Sequence, residues 1–459
     1  MKPYRIMKTS ILAAFLAMAG ICSAEAQQRL TLDQAIETAL GGSSEINLAE
    51  MEVNKAQHQV NEAFGNALPS VDLSANFNHF LEQPVFFAPA NAFNPEAPAD
   101  ELMTLKIGGA NSYEATGTIS QVLFNSAVFR GIGASQEYLD VSKEMLKNTV
   151  SNTILNVKKA FYGVLLTQDL LEITRTSLQN AEKNLDNVSS MHKAGLVAEF
   201  DLLQAEVRVE NIRPNVIQLE NQLKSAKDML KVTLGLPQDE DIFLEGELKY
   251  EDKSTPGQKA SIREAMKSNY QINTLRKKIQ VDDAFVDLER SGYWPSLVGF
   301  VNYTYQGQAN EWDFVNSNTS IVGLQFSMNI FNGWQTSNKV QQRKIEMDKT
   351  RQQLHQLEDV ISVQIKQKIE ELEAVRIKMD AQNRNVNLAE RAHEIAQLRY
   401  KEGTSTQLEV QNAEIELRRA RTNRLQTVLE YIVANAELDN LLGNVEDRYM
   451  RPFMSKIEN

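Results

Sequence analysis

From Arg399 to Glu414 the chain reads RYKEGTSTQLEVQNAE, and from Met191 to Glu206 it reads MHKAGLVAEFDLLQAE. In each stretch a helical pattern stops at a glycine, Gly403 or Gly195, and restarts around an acid six residues later, Glu409 or Asp201. A tight turn between two helices needs a residue that tolerates positive φ, which is the property of glycine. The two glycines stand 208 residues apart, and the correspondence reaches well beyond them.

INLAEMEVNKAQHQVNEAFGNALPS from Ile46 matches INTLRKKIQVDDAFVDLERSGYWPS from Ile272, so that Pro69 pairs with Pro295. QVLFNS, ending at Ser126, matches MNIFNG, ending at Gly333, and the closing TLGL around Gly235 matches LLGN around Gly443. Self-similarity at this spacing marks a tandem repeat. Each half is predicted to run helix, strand pair, long helix, glycine turn, helix. The domain plan is a signal peptide at 1–26, a first structural repeat at 27–236, an equatorial connector at 237–258, a second repeat at 259–443 and a C-terminal tail near the equator at 444–459.

Between Ser70 and Phe80, Val71, Leu73, Ala75 and Phe77 alternate with Asp72, Ser74, Asn76 and Asn78. That is a strand with one apolar and one wet face. Tyr113–Phe124, Leu297–Tyr305 and Ser320–Ile330 repeat the pattern, the last with Val322, Leu324, Phe326, Met328 and Ile330 on one side. Strands of about 10 residues have the length of a tilted membrane-spanning strand. Alternating strands more often lay their apolar face on a soluble core. The export signal described below, and the lack of another amphipathic partner, favour a barrel here. Four strands cannot close one, since single-chain barrels begin at about 8, so copies of the chain must pool their strands. The segment Leu81–Asn111, with Pro84, Pro89, Pro95 and Pro98, reads as a long outer loop.

From Gln136 to Lys193 there is no proline, and Val150, Val157, Val164, Leu171, Leu178 and Leu185 recur at seven-residue spacing. Gln335–Lys401 behaves alike, with Ile365, Leu372, Met379 and Val386 in one row. Sustained heptads mean coiled-coil packing, and such helices run roughly 90 to 100 Å. Shorter helices are expected over Leu32–Asn66 and Phe200–Leu236, with a kink at Pro214. Laid end to end, two short helices match one long one, so each half forms one continuous and one spliced strut. The composition fits a solid bundle and a hollow cylinder equally.

The first residues carry Lys2, Arg5 and Lys8 before an apolar run from Ile11 to Ile21 and an Ala-x-Ala ending at Ala26. This is a secretory signal with cleavage before Gln27. The only cysteine, Cys22, lies within it behind Ile21, a departure from the small-residue pattern of a lipoprotein site that leaves its lipidation open. Cleavage removes those three positive charges and Glu25, moving the net charge from −12 to −14. No basic stripe offsets that acidity, which argues against nucleic-acid binding. Beyond the signal no apolar run is long enough for a transmembrane helix. His58, His79, His192, His355 and His393 show no metal-ligand spacing, and no phosphate loop or nucleophile elbow is present. No cofactor is expected, and the chain reads as a passive conduit rather than an enzyme.

On the export signal, the tandem halves with paired strands, and the turns GLVAEFD (Gly195–Asp201) and RYKEGTSTQLEV (Arg399–Val410), the sequence resembles the TolC-like outer membrane efflux proteins over essentially the whole mature chain. The resemblance implies a mainly α fold with a β-barrel part. Each protomer of a homotrimer would give four strands to one 12-stranded outer membrane barrel, set in outer membrane lipid and continued by a periplasmic α-helical tunnel. It further implies an exit duct for drug efflux or type I secretion, joined by a periplasmic adaptor to an inner membrane transporter, either a resistance-type pump or an ABC exporter. The rival readings are a structural coiled-coil spacer or adhesin stalk with a soluble β cap, and a general uptake porin.

In that family the helix ends close the tunnel through polar links. Tyr400 matches the family's tyrosine before the second turn, Glu409 and Asn412 match its paired aspartates, and Asp201 matches the acid of the first turn. Ser405 stands where well-known members carry arginine, so a salt-bridged gate is not expected in the same form. A ring of three Glu409 carboxylates would attract cations, while in the first turn of a helix either acid is also favoured by the macrodipole. Gly195, Leu196, Val197, Gly403 and Thr404 form the implied adaptor-docking tip, with Leu196 and Val197 as apolar residues on a turn.

Overall fold

The computed structural model describes residues 28–458 apart from Asn94, Pro95, Ala97, Ala99, Glu101 and Thr255. The expected signal peptide and Cys22 lie outside the described residues. The first half runs β1 (Gln28–Leu30), α1 (Leu32–Gly42), α2 (Ser44–Gly65), β2 (Ser70–His79), β3 (Val85–Pro89), β4 (Leu102–Lys106), β5 (Asn111–Asn125), α3 (Ser126–Lys193) and α4 (Glu199–Leu234). After β6 (Ile242–Leu244) come α5 (Gln258–Ser268), α6 (Tyr270–Arg290), β7 (Ser296–Ala309), β8 (Val315–Ser327), α7 (Gln335–Lys401), α8 (Gln407–Leu442) and α9 (Asp447–Glu458). The order repeats helix, strand pair, long helix and returning helix, and each compact unit draws on both halves. One unit holds the chain up to Leu48, Lys147–Asn269 and the part from Ile361 on; the other holds Ala49–Leu146 and Tyr270–Val360.

In the second of these units β2, β5, β7 and β8 form one antiparallel sheet in that order. The two halves meet in its middle, where β5 pairs with β7 from Asn111↔Ala309 to Asn125↔Ser296, with one bulge between Val122 and Phe124. Register places Val71, Ile119, Val301 and Val322 in one row across the sheet and Ser74, Thr116, Thr304 and Thr319 in another. Successive side chains of a strand point to opposite faces, so the apolar and polar rows stay separate.

Three expectations change. The segment Leu81–Asn111 is not simply a loop: β3 and β4 pair within it, Val85↔Lys106 to Pro89↔Leu102, because Pro89 ends a strand and spares the ladder. β8 begins five residues earlier than Ser320, since Asn316–Thr319 satisfy their backbone on β7 despite being polar. Helix Leu32–Asn66 is two helices broken at Ser43, whose extended ψ of 141° stops the first and whose side chain takes the Ile46 amide of the second. Pro214 lies inside α4, which is helical on both sides of it.

In the helical unit the heptad row on α3 is buried from Val150 through Leu171, and Leu171 and Ala181 pack on Val209, Ile212 and Val216 of α4. The α7 row Ile365, Leu372 and Met379 is buried as well. Glu437 of α8 binds Lys159 of α3 and, at 2.6 Å, Lys368 of α7, tying three helices together.

The spliced struts join at two matching junctions. α4 ends at Gly235, φ 74°, where an added Cβ would lie 2.2 Å from the Gly42 carbonyl oxygen at the α1–α2 break. α8 ends at Gly443, φ 73°, and meets the Ser268 carbonyl at the α5–α6 break with the same 2.2 Å clearance. Both glycines are needed twice over, for their backbone angle and for the close approach. β1, before α1, pairs in parallel with β6, after α4. Arg448 and Tyr449 of α9 clasp the Asp33 carboxylate of α1, the tyrosine at 2.8 Å and the guanidinium at 2.9 and 3.2 Å.

Candidate functional site

Among the described residues nothing covers the apolar face of the sheet. Leu73 is 83% and Val322 79% exposed, and Val71, Phe77, Leu324 and Phe326 are exposed beside them. A contiguous apolar face of this kind marks contact with something other than water. The outer edges of β2 and β8 carry no partner strand among the described residues, which leaves two rows of backbone donors and acceptors to be met from outside the chain.

Aromatic side chains collect at both ends of that face. At one end Phe77 stacks on Trp312 at 6.0 Å, and Tyr113 meets Phe314 at 5.1 Å. Asn310 fixes the loop there by accepting from the Gln83 side chain at 2.7 Å and the Ala110 amide at 3.2 Å. At the other end Trp294, Phe331 and Trp334 are exposed, with Phe331 edge-on to Trp334 at 6.0 Å. Trp334 holds φ at 65°, a strained angle for a residue with a bulky side chain. On the polar face, hydroxyls pair across strands, Ser70 with Ser120 at 2.7 Å and Thr116 with Thr304 at 3.0 Å.

The two helix turns share one backbone design. Gly195 at φ 71° and Gly403 at φ 73° each close a Schellman motif. In it the Leu196 amide reaches the Met191 carbonyl at 2.9 Å, and the Thr404 amide reaches the Arg399 carbonyl at 2.8 Å. An added Cβ would touch nothing within 4 Å at either glycine. The side chains then diverge. At the first turn Asp201 accepts from the Ala198 amide at 3.3 Å, a cap for α4, and Leu196 stands exposed with Val197 half-buried. At the second, Glu409 accepts from the Ser405 hydroxyl at 2.7 Å and lies 3.5 Å from the Arg399 guanidinium. Ser405 thus supplies a hydrogen bond to the acid, and the positive charge comes from Arg399, before the turn. Tyr400 and Asp201 make no hydrogen bond to one another; Tyr400 is half-buried, and Asn412 is exposed.

Tyr400 instead lines a small polar cavity of about 120 Å³ with Asn184, Arg208, Gln407, Gln411 and Glu414. Glu414 accepts from the Ser177 hydroxyl at 2.8 Å and from Arg208 at 3.4 Å, which joins α3, α4 and α8. The next arginine up α8, Arg418, has its pKa lowered by burial first and by the nearby Arg208 charge second. The sequence reading did not single out this cluster. Its one visible signal was the repeat itself, because Glu414 and Glu206 close the two stretches quoted at the outset at equal distance from their glycines.

Among the described residues no group of acids, histidines or cysteines is arranged for a metal, and no helix is long and apolar enough to cross a membrane. The sequence profile of the outer membrane efflux proteins matches residues 35–236 and 261–444. The chain belongs to the outer membrane efflux protein family. It is 21% identical over 446 residues to outer membrane protein TolC of Escherichia coli, covering 94% of this chain and 86% of that one. Alkaline protease secretion protein AprF of Pseudomonas aeruginosa is also 21% identical, over 73% of this chain and 71% of its own length. Among solved structures the fold is similar to the Campylobacter jejuni CmeC outer membrane channel, with a TM-score of 0.74, 16% identity and coverage of 93% and 89%. The outer membrane channel OprN gives 0.70, with 17% identity and 90% of each chain. Membership of the family puts the chain in the outer membrane as an efflux channel, with long helices beside a strand-bearing part.

Proposed function

We propose that three copies of this chain form one exit duct, with their twelve strands closed into a barrel and their long helices lining a periplasmic passage. A periplasmic adaptor and an inner membrane transporter, a resistance-type pump or an ABC exporter, would feed the passage. The chain itself is a conduit and performs no chemistry. One observation carries the reading: a four-stranded sheet whose apolar face is uncovered and whose two edges are unpaired among the described residues. In a bilayer every backbone group must be paired, which only closure of the sheet achieves. Three copies give twelve strands, within the size range of outer membrane barrels. The aromatic residues at the two ends of the apolar face suit the lipid–water interfaces, with outer membrane lipid between them.

In this reading the second turn carries the gate and the first turn faces outward. Glu409, held by Ser405 and Arg399, would line the mouth with Asn412, with Tyr400 and Asp201 as supports. Gly195, Leu196, Val197, Gly403 and Thr404 would form the docking tip; the exposure of Leu196 favours a covering partner. The four proposed domains, two repeats about an equatorial connector and tail, follow the same plan.

Purification from outer membranes should yield a trimer whose mobility in SDS changes on heating, with discrete conductance steps in planar bilayers. A water-soluble, non-conducting product would refute the duct. For the gate, Tyr400→Phe combined with Glu409→Gln should raise the closed-state conductance; an unchanged conductance would refute the assignment.

A further inference from the structure

Close to the second turn, the cavity that Tyr400 lines is walled by four helices of one chain. α3 contributes Asn184, α4 Arg208, α7 Tyr400, and α8 Gln407, Gln411 and Glu414. Its volume of about 120 Å³ is far more than the roughly 10 to 15 Å³ that a single water needs. Three of these side chains hold a buried nitrogen donor with no acceptor: Arg208 Nε, Gln407 Nε2 and Gln411 Nε2. A buried donor left unmade is costly, and three on the wall of one cavity call for a shared acceptor. The repeat does not impose them. Set back by the 208 residues that separate the turn glycines, Gln407 and Gln411 fall on Glu199 and Leu203, an acid and an apolar side chain.

The charge balance points the same way. Glu414 is the one carboxylate on the cavity wall; one of its oxygens accepts from the Ser177 hydroxyl, and the other lies 3.4 Å from the Arg208 guanidinium. Arg418, one turn further along α8, is half-buried and makes no hydrogen bond or ion pair among the described residues. Burial and then the Arg208 charge lower its pKa, against the pull of Glu414. One carboxylate therefore serves two half-buried guanidiniums, and a positive charge is left over. Water could meet the free donors, but it could not balance that charge.

We propose that this cavity binds one small monovalent anion of the chloride class. The ion accepts from Arg208 Nε, Gln407 and Gln411 and offsets the unmatched guanidinium charge. Its ligands come from α4 and α8, so it fastens the two returning helices together near the ends at which the chain reverses. Every residue of the site belongs to one chain, and the inference therefore stands apart from the trimeric reading.

The test is unfolding of the full chain in detergent at neutral pH and constant ionic strength, with sodium gluconate, an anion too bulky for the cavity, exchanged for sodium chloride or bromide. Either halide should raise the unfolding temperature saturably, by on the order of 3 °C. Crystals grown in bromide should show an anomalous peak beside Arg208 Nε. Gln407→Leu removes one donor to the ion and should move the midpoint of the halide response to about tenfold higher concentration. Gln411→Glu ties a carboxylate to the wall in place of the ion. It should lift the unfolding temperature in gluconate to that of the natural chain in chloride and abolish the halide response. An unfolding temperature indifferent to halide, or a cavity without a bromide peak, would mean that water alone fills it and would overturn the inference. A halide response unchanged in both variants would place the ion elsewhere and overturn it as well. If either variant fails to fold, the bromide peak in the natural chain decides.

Discussion

The junctions where the spliced struts join and the turns where the struts reverse are built on the same residue at nearly the same angle, yet they make opposite demands. Gly235 and Gly443 end their helices against the backbone of a neighbouring helix break, with no room for a Cβ. Gly195 and Gly403 end theirs in open space. At the junctions, glycine serves packing and backbone angle together; at the turns it serves the angle alone. The junctions are therefore fixed by packing as well as by backbone angle, while the turns are constrained by the angle alone.

The largest effect is expected at the junctions. Gly235→Ala or Gly443→Ala forces a Cβ into a carbonyl oxygen and should destabilise the fold by about 3 kcal/mol or more, read as loss of heat-resistant folded protein on SDS gels. A mild effect there would mean that the junctions are no tighter than the turns. Next comes Glu414→Gln, which leaves the half-buried Arg208 and Arg418 without their carboxylate; a loss of about 2 to 3 kcal/mol in urea unfolding is expected. Gly195→Ala and Gly403→Ala should each lower stability by about 1 to 2 kcal/mol, the cost of a Cβ in the left-handed region. Their helices stay formed by circular dichroism. The smallest effect concerns the junction clasp. Tyr449 first, and then Arg448, hold the Asp33 carboxyl below its usual range. A depressed carboxylate pKa stabilises the fold above about pH 4 and loses that contribution as pH falls through the depressed value. Asp33→Asn should therefore free α9 to protease at neutral pH by an exposed-pair margin under about 1 kcal/mol, whereas the natural chain releases it only in strong acid.

Much of this organisation is legible in the sequence because it is periodic. The heptad rows are buried from Val150 to Leu171 on α3 and from Ile365 to Met379 on α7, and half-buried at Leu178, Leu185 and Val386, and the alternation at Val71–Phe77 and Val322–Phe326 defines the apolar face. The break at Ser43 carried a signal that went unread, the run Gly41, Gly42, Ser43, Ser44, a cluster of helix breakers. Its counterpart at Asn269 has no such run and relies on a tertiary bond, from the Asn269 side chain to the Leu441 carbonyl at 2.9 Å. The turn glycines and the acids after them were evident, but not what those acids would bind. Asp201 spends its carboxylate on a local cap, and the partners of Glu414 come from two other helices, so no one-dimensional spacing brings them together.

The central pairing of the sheet sets an order of events for making the molecule. Thr116 and Thr304 meet across 188 residues of chain, so β5 gains its second neighbour only after the whole first repeat, the connector and α6 have been delivered. Helices such as α3 and α4 close through local contacts and fold early, whereas long-range strand pairing is intrinsically slow. During that interval β2 and β5 are a lone hairpin with an apolar face, a form that is marginal in water. The chain must therefore travel as a partly folded substrate that needs protection from aggregation, and commitment to the membrane is a late event decided by its second half.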